Sequence, residues 1–437
     1  MTKKTNPGAK NPQALIAELF AAVNENDWGR AAALATQDFS DSDQIVAGPP
    51  GLVAPYGELL AAFPELQLAI EDLFATGDQV AVRYHGRAAQ RGVFQGVPPG
   101  GRTVSVDGLD VFQLEDGRIC GRRSYLDRLS ILQQLSDPQP PELPQTPTDV
   151  QIITRFEPPA FLEGVMLGRD GSVYVSKLHE GTVYRVQADG HAQPFFHLDT
   201  GDGPWNGVWC MVAPPDGAGF FLNVNSNDAA KHGVWYVDET GAGRQFAALP
   251  LDTVPNGIAR SPDNDLLVAD SIGRIWRIAP DGRSTVWLQH DLLAGRPYIG
   301  KFPGANGIQI WNDAAYVTNS DLALMLRIAI KPDGTAGAPV ILAEDIGGDD
   351  FAIDDEGSLY ITTHPFNAVV KLDARGNRTI VGAADQGVIG PTAAALATED
   401  GGRRVLYVVA DGGFYTLPGD PPIPAAAQTP VLLKIRL

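Results

Sequence analysis

Three features of the 437-residue chain predict two domains of different class, an α+β unit followed by an all-β six-bladed β-propeller. Apolar residues recur at helical spacing near the start. A Pro-rich stretch, DPQPPELPQTPTD, interrupts the chain at 137–149. After it, one unit is repeated to the end.

In the first domain, 1–136, NPQALIAELFAAVNENDWGRAAALA carries apolar residues at helical spacing, with Asn11 as N-cap and Pro12 at the first helical position. A second helix is expected over Tyr56–Phe63. From Leu66 the pattern turns to alternation in LQLAIEDLFATGDQVAVRYHGRAA and RTVSVDGLDVFQLEDGRICGRRSYLD, with Gly-Asp and Asp-Gly turns. Helices first and an antiparallel sheet after make an α+β unit. The stretch 137–149 reads as a semi-rigid extended spacer.

Six related units fill 150–437: LEGVMLGRDGSVYVSKLHEGTVYRV, WNGVWCMVAPPDGAGFFLNVNSNDAAKHGVWYV, PNGIARSPDNDLLVADSIGRIWRI, ANGIQIWNDAAYVTNSDLALMLRIAI, GDDFAIDDEGSLYITTHPFNAVVKL and PTAAALATEDGGRRVLYVVADGGFYTL. Their starts near 163, 206, 256, 306, 349 and 392 are spaced by 43, 50, 50, 43 and 43 residues, the period of a four-stranded propeller blade. PVLLKIRL at 430–437 and FEPPAFLEG at the other end are two candidates for closing the ring, and the pattern alone does not choose between them.

Composition agrees. Hydrophobic residues make up 44% and charged residues 19%, with 48 Gly and 34 Pro, as in a turn-rich β protein. A net charge of −19 without any basic run excludes a phosphate-backbone partner, which needs clustered Lys and Arg. No signal-peptide core opens the chain and no window reaches the ~18 apolar residues of a membrane helix, so a soluble, cytoplasmic protein without a membrane partner is expected. Cys120 and Cys210 fall on opposite sides of the spacer; both are expected to be buried small hydrophobes, not a disulfide or a metal cluster.

The first position of each unit should face the central tunnel. Counting back eight residues from the turn glycine or its equivalent puts Glu163, Asn256, Asn306 and Asp349 there. Two carboxylates and two amides converging on one point suit a hard cation of the Ca²⁺ type; Zn²⁺, Mn²⁺ and Mg²⁺ are the alternatives. Singly, Asn256-Gly and Asn306-Gly read as hairpin turns; as a set they read as ligands. In the second unit the same count falls on Trp209, and an insertion at Pro214-Pro215 would restore Asn206. The ends of second strands should surround the opening, which brings in His179, Asn225, Asp270, Asn319 and His364. Neither a GxSxG elbow nor a GxxxxGK[ST] loop occurs.

FPELQLAIEDLFATGDQVAVR, GVFQGVPPGGRTVSVDGLDVFQLEDGRI and YLDRLSILQQL resemble the SnoaL-like polyketide cyclases, ester cyclases of the nuclear-transport-factor-like α+β cone fold, from about Gln13 to Leu135. The resemblance implies acid/base chemistry at Asp127. Where that family carries a His-Trp pair and a Thr-His, this chain has Arg122-Arg123 and Ala89-Gln90, which argues against independent cyclase activity. His85 and Asp110 are either pocket groups or ordinary core and surface residues. LEGVML, PNGIARSPDNDLLVADSIGRIWRI, ANGIQI and GGDDFAIDDEGSLYI resemble the senescence-marker-protein/gluconolactonase/regucalcin-like, paraoxonase-related propellers, over about Phe161 to Tyr415. That resemblance implies a divalent cation, usually Ca²⁺, on Glu163, Asn256, Asn306 and Asp349 and hydrolysis of lactones, esters or phosphotriesters at the open face. Asp349 or Asp270 is then the first choice of base and His179 or His364 the second, with Asn206, Asn225, Asn319 and Asp350 on the substrate.

The reading with most support is a metal-dependent lactonase or esterase acting on a small molecule, whose cone domain binds substrate or forms a homodimer. Its competitors are a cyclase or isomerase of natural product biosynthesis and a non-catalytic, metal-stabilised binding propeller.

Overall fold

The computed structural model describes residues 11–41, 47–136, 143–296, 302–364, 366–399, 401–414, 424 and 427–437. The chain divides into two compact units, Met1–Asp137 and Pro138–Leu437.

In the first unit Asn11 and Pro12 start α1 (Pro12–Asn24) as expected, the Asn11 side chain accepting from Gln13 N at 3.1 Å. A short α2 (Trp28–Ala32) is capped by Asp27. The helix expected over Tyr56–Phe63 is longer, α3 (Pro49–Ala62). Pro55 lies inside it and hid its first half from the periodicity, because an interior proline normally ends a helix. Strands β1 (Ala35–Asp41), β2 (Ala69–Thr76), β3 (Gln79–Ala89), β4 (Thr103–Glu115) and β5 (Arg118–Leu126) form one sheet in the order β1-β5-β4-β3-β2, and α4 (Arg128–Ser136) follows. β3 and β4 bury alternate residues, so one face carries the core. Tyr84 packs there against Phe20 at 5.2 Å between ring centroids. It also lies across Gly108, where a Cβ would sit 2.2 Å from the Tyr84 ring.

The second unit begins with β6 (Asp149–Arg155), whose place is taken up below. Blade 1 is β7 (Leu162–Leu167), β8 (Val173–Lys177), β9 (Thr182–Val186) and β10 (Ala192–His197); blade 2 is β11 (Gly207–Val212), β12 (Phe220–Asn225), β13 (Gly233–Val237) and β14 (Gly243–Ala248). Blade 3 is β15 (Pro255–Arg260), β16 (Leu266–Asp270), β17 (Arg274–Ile278) and β18 (Ser284–Gln289); blade 4 is β19 (Ala305–Trp311), β20 (Ala314–Asn319), β21 (Leu324–Ile330) and β22 (Ala336–Ala343). Blade 5 is β23 (Phe351–Ile353), β24 (Leu359–Thr363), β25 (Ala368–Leu372) and β26 (Arg378–Ala383).

Blade 6 takes strands from both ends of the unit: β27 (Pro391–Glu399), β28 (Arg403–Ala410), β29 (Val431–Arg436) and finally β6. The closing run is thus its third strand. The other closing element is 149–155, not FEPPAFLEG, and its alternation was masked by the prolines before it. The first part of the expected spacer, 137–142, lies outside the described residues; in the rest, Thr146 N donates to Ile380 O at 2.8 Å and Ile380 N to Pro144 O at 2.9 Å, which fixes 144–146 along β26.

Apolar clusters lie between neighbouring blades, and one joins blade 6 to blade 1 through Val409, Leu432, Leu162 and Val175. Leu432→Ala is expected to cost about 2–5 kcal/mol, as large-to-small changes in sealed cores do, measured as a lower urea midpoint at unchanged m-value. Among the described residues no helix is long and apolar enough to cross a membrane.

Candidate functional site

The pairing register slips near the start of four inner strands, after the first pair in blades 1, 3 and 4 and after the second in blade 2: between Leu162 and Val165, Val208 and Met211, Pro255 and Ile258, and Ala305 and Ile308. Each slip brackets two residues, and the first of each two lines the central cavity, as β-bulges beside functional sites arrange. Those lining residues are Glu163, Trp209, Asn256 and Asn306. The unbroken count was therefore right in blade 2: the position belongs to Trp209, and no insertion brings Asn206 into it.

Asn256 and Asn306 are not hairpin residues. Both lie inside strands, and the glycines after them have no positive φ. These glycines answer to crowding at the axis. A Cβ on Gly164 would lie 2.8 Å from Trp209 O, one on Gly257 2.4 Å from Asn306 O, and one on Gly307 2.9 Å from Asp349 O.

Glu163, Asn256, Asn306 and Asp349 converge on the floor of a cavity of about 450 Å³, joined by Ser320 and His364. Asn306 Nδ2 donates to Asp349 Oδ1 at 2.7 Å and to Ser320 Oγ at 2.9 Å, leaving Asn306 Oδ1 buried with no partner. Glu163 Oε2 and Asn256 Nδ2 are buried and unpaired in the same way. Exchanging oxygen and nitrogen of the Asn256 amide, an assignment that rests on the hydrogen-bond network alone, turns its orphan into a third acceptor. Burial, with Asp349, Asp350 and Asp411 nearby, holds the Glu163 carboxyl well above the usual carboxylate range. Burial likewise pushes Asp349 up to about 6, against the pull of His364 and the Asn306 hydrogen bond. Unpaired acceptors and crowded carboxylates are what a hard-cation site leaves exposed to its ion. Among the described residues no group of three or more His, Cys, Asp or Glu side chains is arranged to hold a metal; this ring draws half its donors from amides.

His364 Nε2 donates to Asp411 Oδ2 at 2.8 Å, and Nδ1 lies 3.7 Å from Asp349 Oδ2. Burial alone would lower the His364 pKa, but Asp411 and Asp349 outweigh it and raise it. Asp411 is held in turn by Gly413 N at 2.8 Å and Phe414 N at 3.2 Å. Sequence reasoning missed Asp411 although the signal was there: YVVAD at 407–411 repeats LLVAD at 266–270, which marks the end of a second strand.

Several expected site residues lie elsewhere. Asp270 is fully buried, accepting from Val254 N at 2.9 Å, Arg274 Nε at 2.9 Å and Trp276 Nε1 at 3.1 Å; it ties its own blade together and lines no part of the cavity. Asn319 spans Leu292 O and Ala294 O, both at 2.9 Å. Asn225 donates to Pro255 O at 2.9 Å. Asn206 holds the carbonyls of Thr200, Gly201 and Asp202. All three amides satisfy backbone carbonyls in place of a ligand. Asp350 lines a separate cavity of about 200 Å³ farther along the inner strands, beside Cys210 and Gln309, where burial pushes its pKa up to about 7. His179 does stand in the wall of the main cavity, its Nδ1 donating to Asn206 O at 3.3 Å.

In the first unit Asp127 is exposed and accepts from Ser130 N at 3.0 Å, capping α4 instead of facing a pocket. Of the two acids in the unit's interior, Asp110 and Asp41, the fully buried Asp110 accepts from Tyr56 Oη at 2.5 Å. Arg122 fills the remaining space, with Nε 2.8 Å from Asp41 Oδ2 and Nη1 3.9 Å from Asp110 Oδ2. Gln90 is likewise structural, bonded to Val97 O and Gly100 N at 3.1 and 3.0 Å. His85 is outside, 3.0 Å from Asp107. Cys210 is buried as expected, whereas Cys120 is only partly so.

Residues 14–135 match the model of the SnoaL-like polyketide cyclase family. The first unit is SnoaL-like. A solved structure from Jannaschia sp. CCS1, described as a SnoaL-like polyketide cyclase, shares 27% identity with it, covering 32% of this chain and all of its own, at a TM-score of 0.29. Over the propeller the chain is similar to a luciferin-regenerating enzyme, at 12% identity, 66% of this chain and 95% of the other, with a TM-score of 0.51; that likeness is one of fold. Virginiamycin B lyase from Staphylococcus aureus aligns at 16% identity over 67% of this chain and 100% of its own, with a TM-score of 0.44. No curated protein sequence matches the chain.

Proposed function

We propose that the propeller is a divalent-cation-dependent hydrolase of a lactone or ester, with Ca²⁺ the ion that best suits its donors. The observation that carries this is the pair of buried, unpartnered acceptors, Glu163 Oε2 and Asn306 Oδ1, on one cavity floor with Asp349 and Asn256. Glu163, Asn256, Asn306 and Asp349 would hold the cation. When bound, it supplies Lewis-acid polarisation of the substrate carbonyl.

The chain's own groups supply the rest. Asp411 keeps His364 Nε2 protonated and so turns Nδ1 toward the floor, the arrangement of a base oriented by a second residue. In hydrolysis the water oxygen bonds to the carbonyl carbon and the acyl C–O bond breaks. His364 accepts one water proton and returns it to the leaving oxygen. Asp349, 3.7 Å from Nδ1, favours the protonated imidazole in between.

Metal analysis of the purified protein tests this, followed by a lactone and aryl-ester panel with and without chelator. About one divalent cation per chain is expected, with turnover that chelator abolishes and product mass that rises by one water. Turnover indifferent to chelator would sink the reading, and product of unchanged mass would shift it to isomerisation.

A further inference from the structure

We infer that the substrate is aromatic, an aryl-fused lactone or an aryl ester whose ring lies against Trp205 and Trp209 while its carbonyl meets the polar floor. The inference rests on the hydrolase reading and adds the substrate class. It starts from the ring position of blade 2, where the bulge that presents an oxygen donor in blades 1, 3 and 4 presents Trp209. The aromatic wall therefore rises from the same layer as the ligands.

Trp205 stands beside Trp209, ring centroids 6.3 Å apart and planes tilted by 31°. Phe161 extends the wall, 6.2 Å from His179, 5.6 Å from Phe414 and 5.6 Å from His364. Phe302 and Pro303 also line the cavity. Backbone carbonyls take up the N–H groups of this wall: Trp209 Nε1 donates to Trp205 O at 3.2 Å, and His179 Nδ1 donates to Asn206 O at 3.3 Å. Trp205 is nonetheless 48% exposed; a large indole left open at a cavity mouth gains contact when a flat apolar ligand covers it. A sugar lactone carries a hydroxyl on nearly every carbon, and each would meet π faces and lose its hydrogen bond to water.

Lactams test binding apart from turnover, because they share the carbonyl geometry and resist hydrolysis. Calorimetry should show 3,4-dihydro-2-quinolinone binding about tenfold or more tighter than 2-piperidinone, the scale of one good aromatic contact. In Trp205→Ala the gap should close to about threefold or less, while Trp205→Phe keeps most of it. Trp205 is exposed enough for its loss to leave the fold intact, which circular dichroism checks. Equal affinity for the two lactams in the wild-type protein, or a gap unmoved by Trp205→Ala, overturns the inference. So does faster turnover of glucono-1,5-lactone than of dihydrocoumarin, an outcome that leaves the hydrolase reading standing. Selective binding of the aryl lactam with neither lactone turned over does the reverse: the aromatic ligand class stands and hydrolysis falls.

Discussion

Asp349→Asn is expected to abolish cation binding and turnover together while leaving a folded propeller. The amide keeps an oxygen in place for the Asn306 Nδ2 bond at 2.7 Å, so the local scaffold is retained. What it removes is one of the two formal charges on the cavity floor. Outer-shell partners of a metal commonly contribute ten- to a hundredfold in affinity, and a charged ligand should contribute at least the upper figure, about a hundredfold. Burial disfavours a negative charge at this position and pushes the Asp349 pKa up to about 6, so the neutral side chain places no burden on the cation-free fold. Two readouts separate binding from folding. At a hundred times Kd the wild-type protein should gain about 2.7 kcal/mol on adding Ca²⁺, seen as a rise in Tm; the variant should show no rise, with a cation-free Tm equal to or above that of the wild type. A variant that keeps its Ca²⁺-dependent Tm shift would remove Asp349 from the ligand set.

Asp270→Ala should do the opposite, unfolding the protein at lower urea without changing the cation content of what remains folded. Asp270 is fully buried and accepts from two side chains and the backbone of Val254. Its loss leaves the Trp276 indole N–H and Arg274 Nε without their acceptor, while the rest of the guanidinium keeps Asp252, with Nη2 donating to Asp252 O at 2.9 Å. Leaving buried donors without an acceptor costs about 1–3 kcal/mol, and Asp252 still compensates part of the Arg274 charge. Denaturation monitored by intrinsic fluorescence, with metal analysis of the native fraction, reads both quantities. Unchanged stability with lost turnover would return Asp270 to the active site. The two acids ranked first as bases thus separate by what surrounds them.

That separation shows where sequence reasoning reached its limit. Glu163, Asn256, Asn306 and Asp349 could be found because each lies a constant distance from its blade's turn, and a local repeat preserves such distances. Strand ends are different. Asp270, Asn225 and Asn319 occupy the same nominal position as His364, yet each turned to the nearest unpaired backbone group or cation of its own or the adjoining loop, as Asx side chains at strand ends do. Only His179 and His364 of that set line the cavity. Asp127 failed for a related reason, since an acid just before a helix is as good an N-cap as a catalyst. Asp411 was overlooked although the sixth unit keeps the second-strand ending of the third.

By itself the sequence determined the two domains, the blade count and the register of the tunnel ring, because period-two alternation and regularly spaced glycines are local properties written again in each unit. Only the tertiary structure decided how the ring closes, with β29 between β28 and β6 and Leu432 opposite Thr154. It also decided that Arg122, Asp41 and Asp110 occupy the interior of the SnoaL-like unit, and that Trp209 stands where its neighbours carry oxygen donors. These outcomes depend on pairings across the chain, where desolvation and hydrogen-bond satisfaction are settled between residues that are distant in sequence.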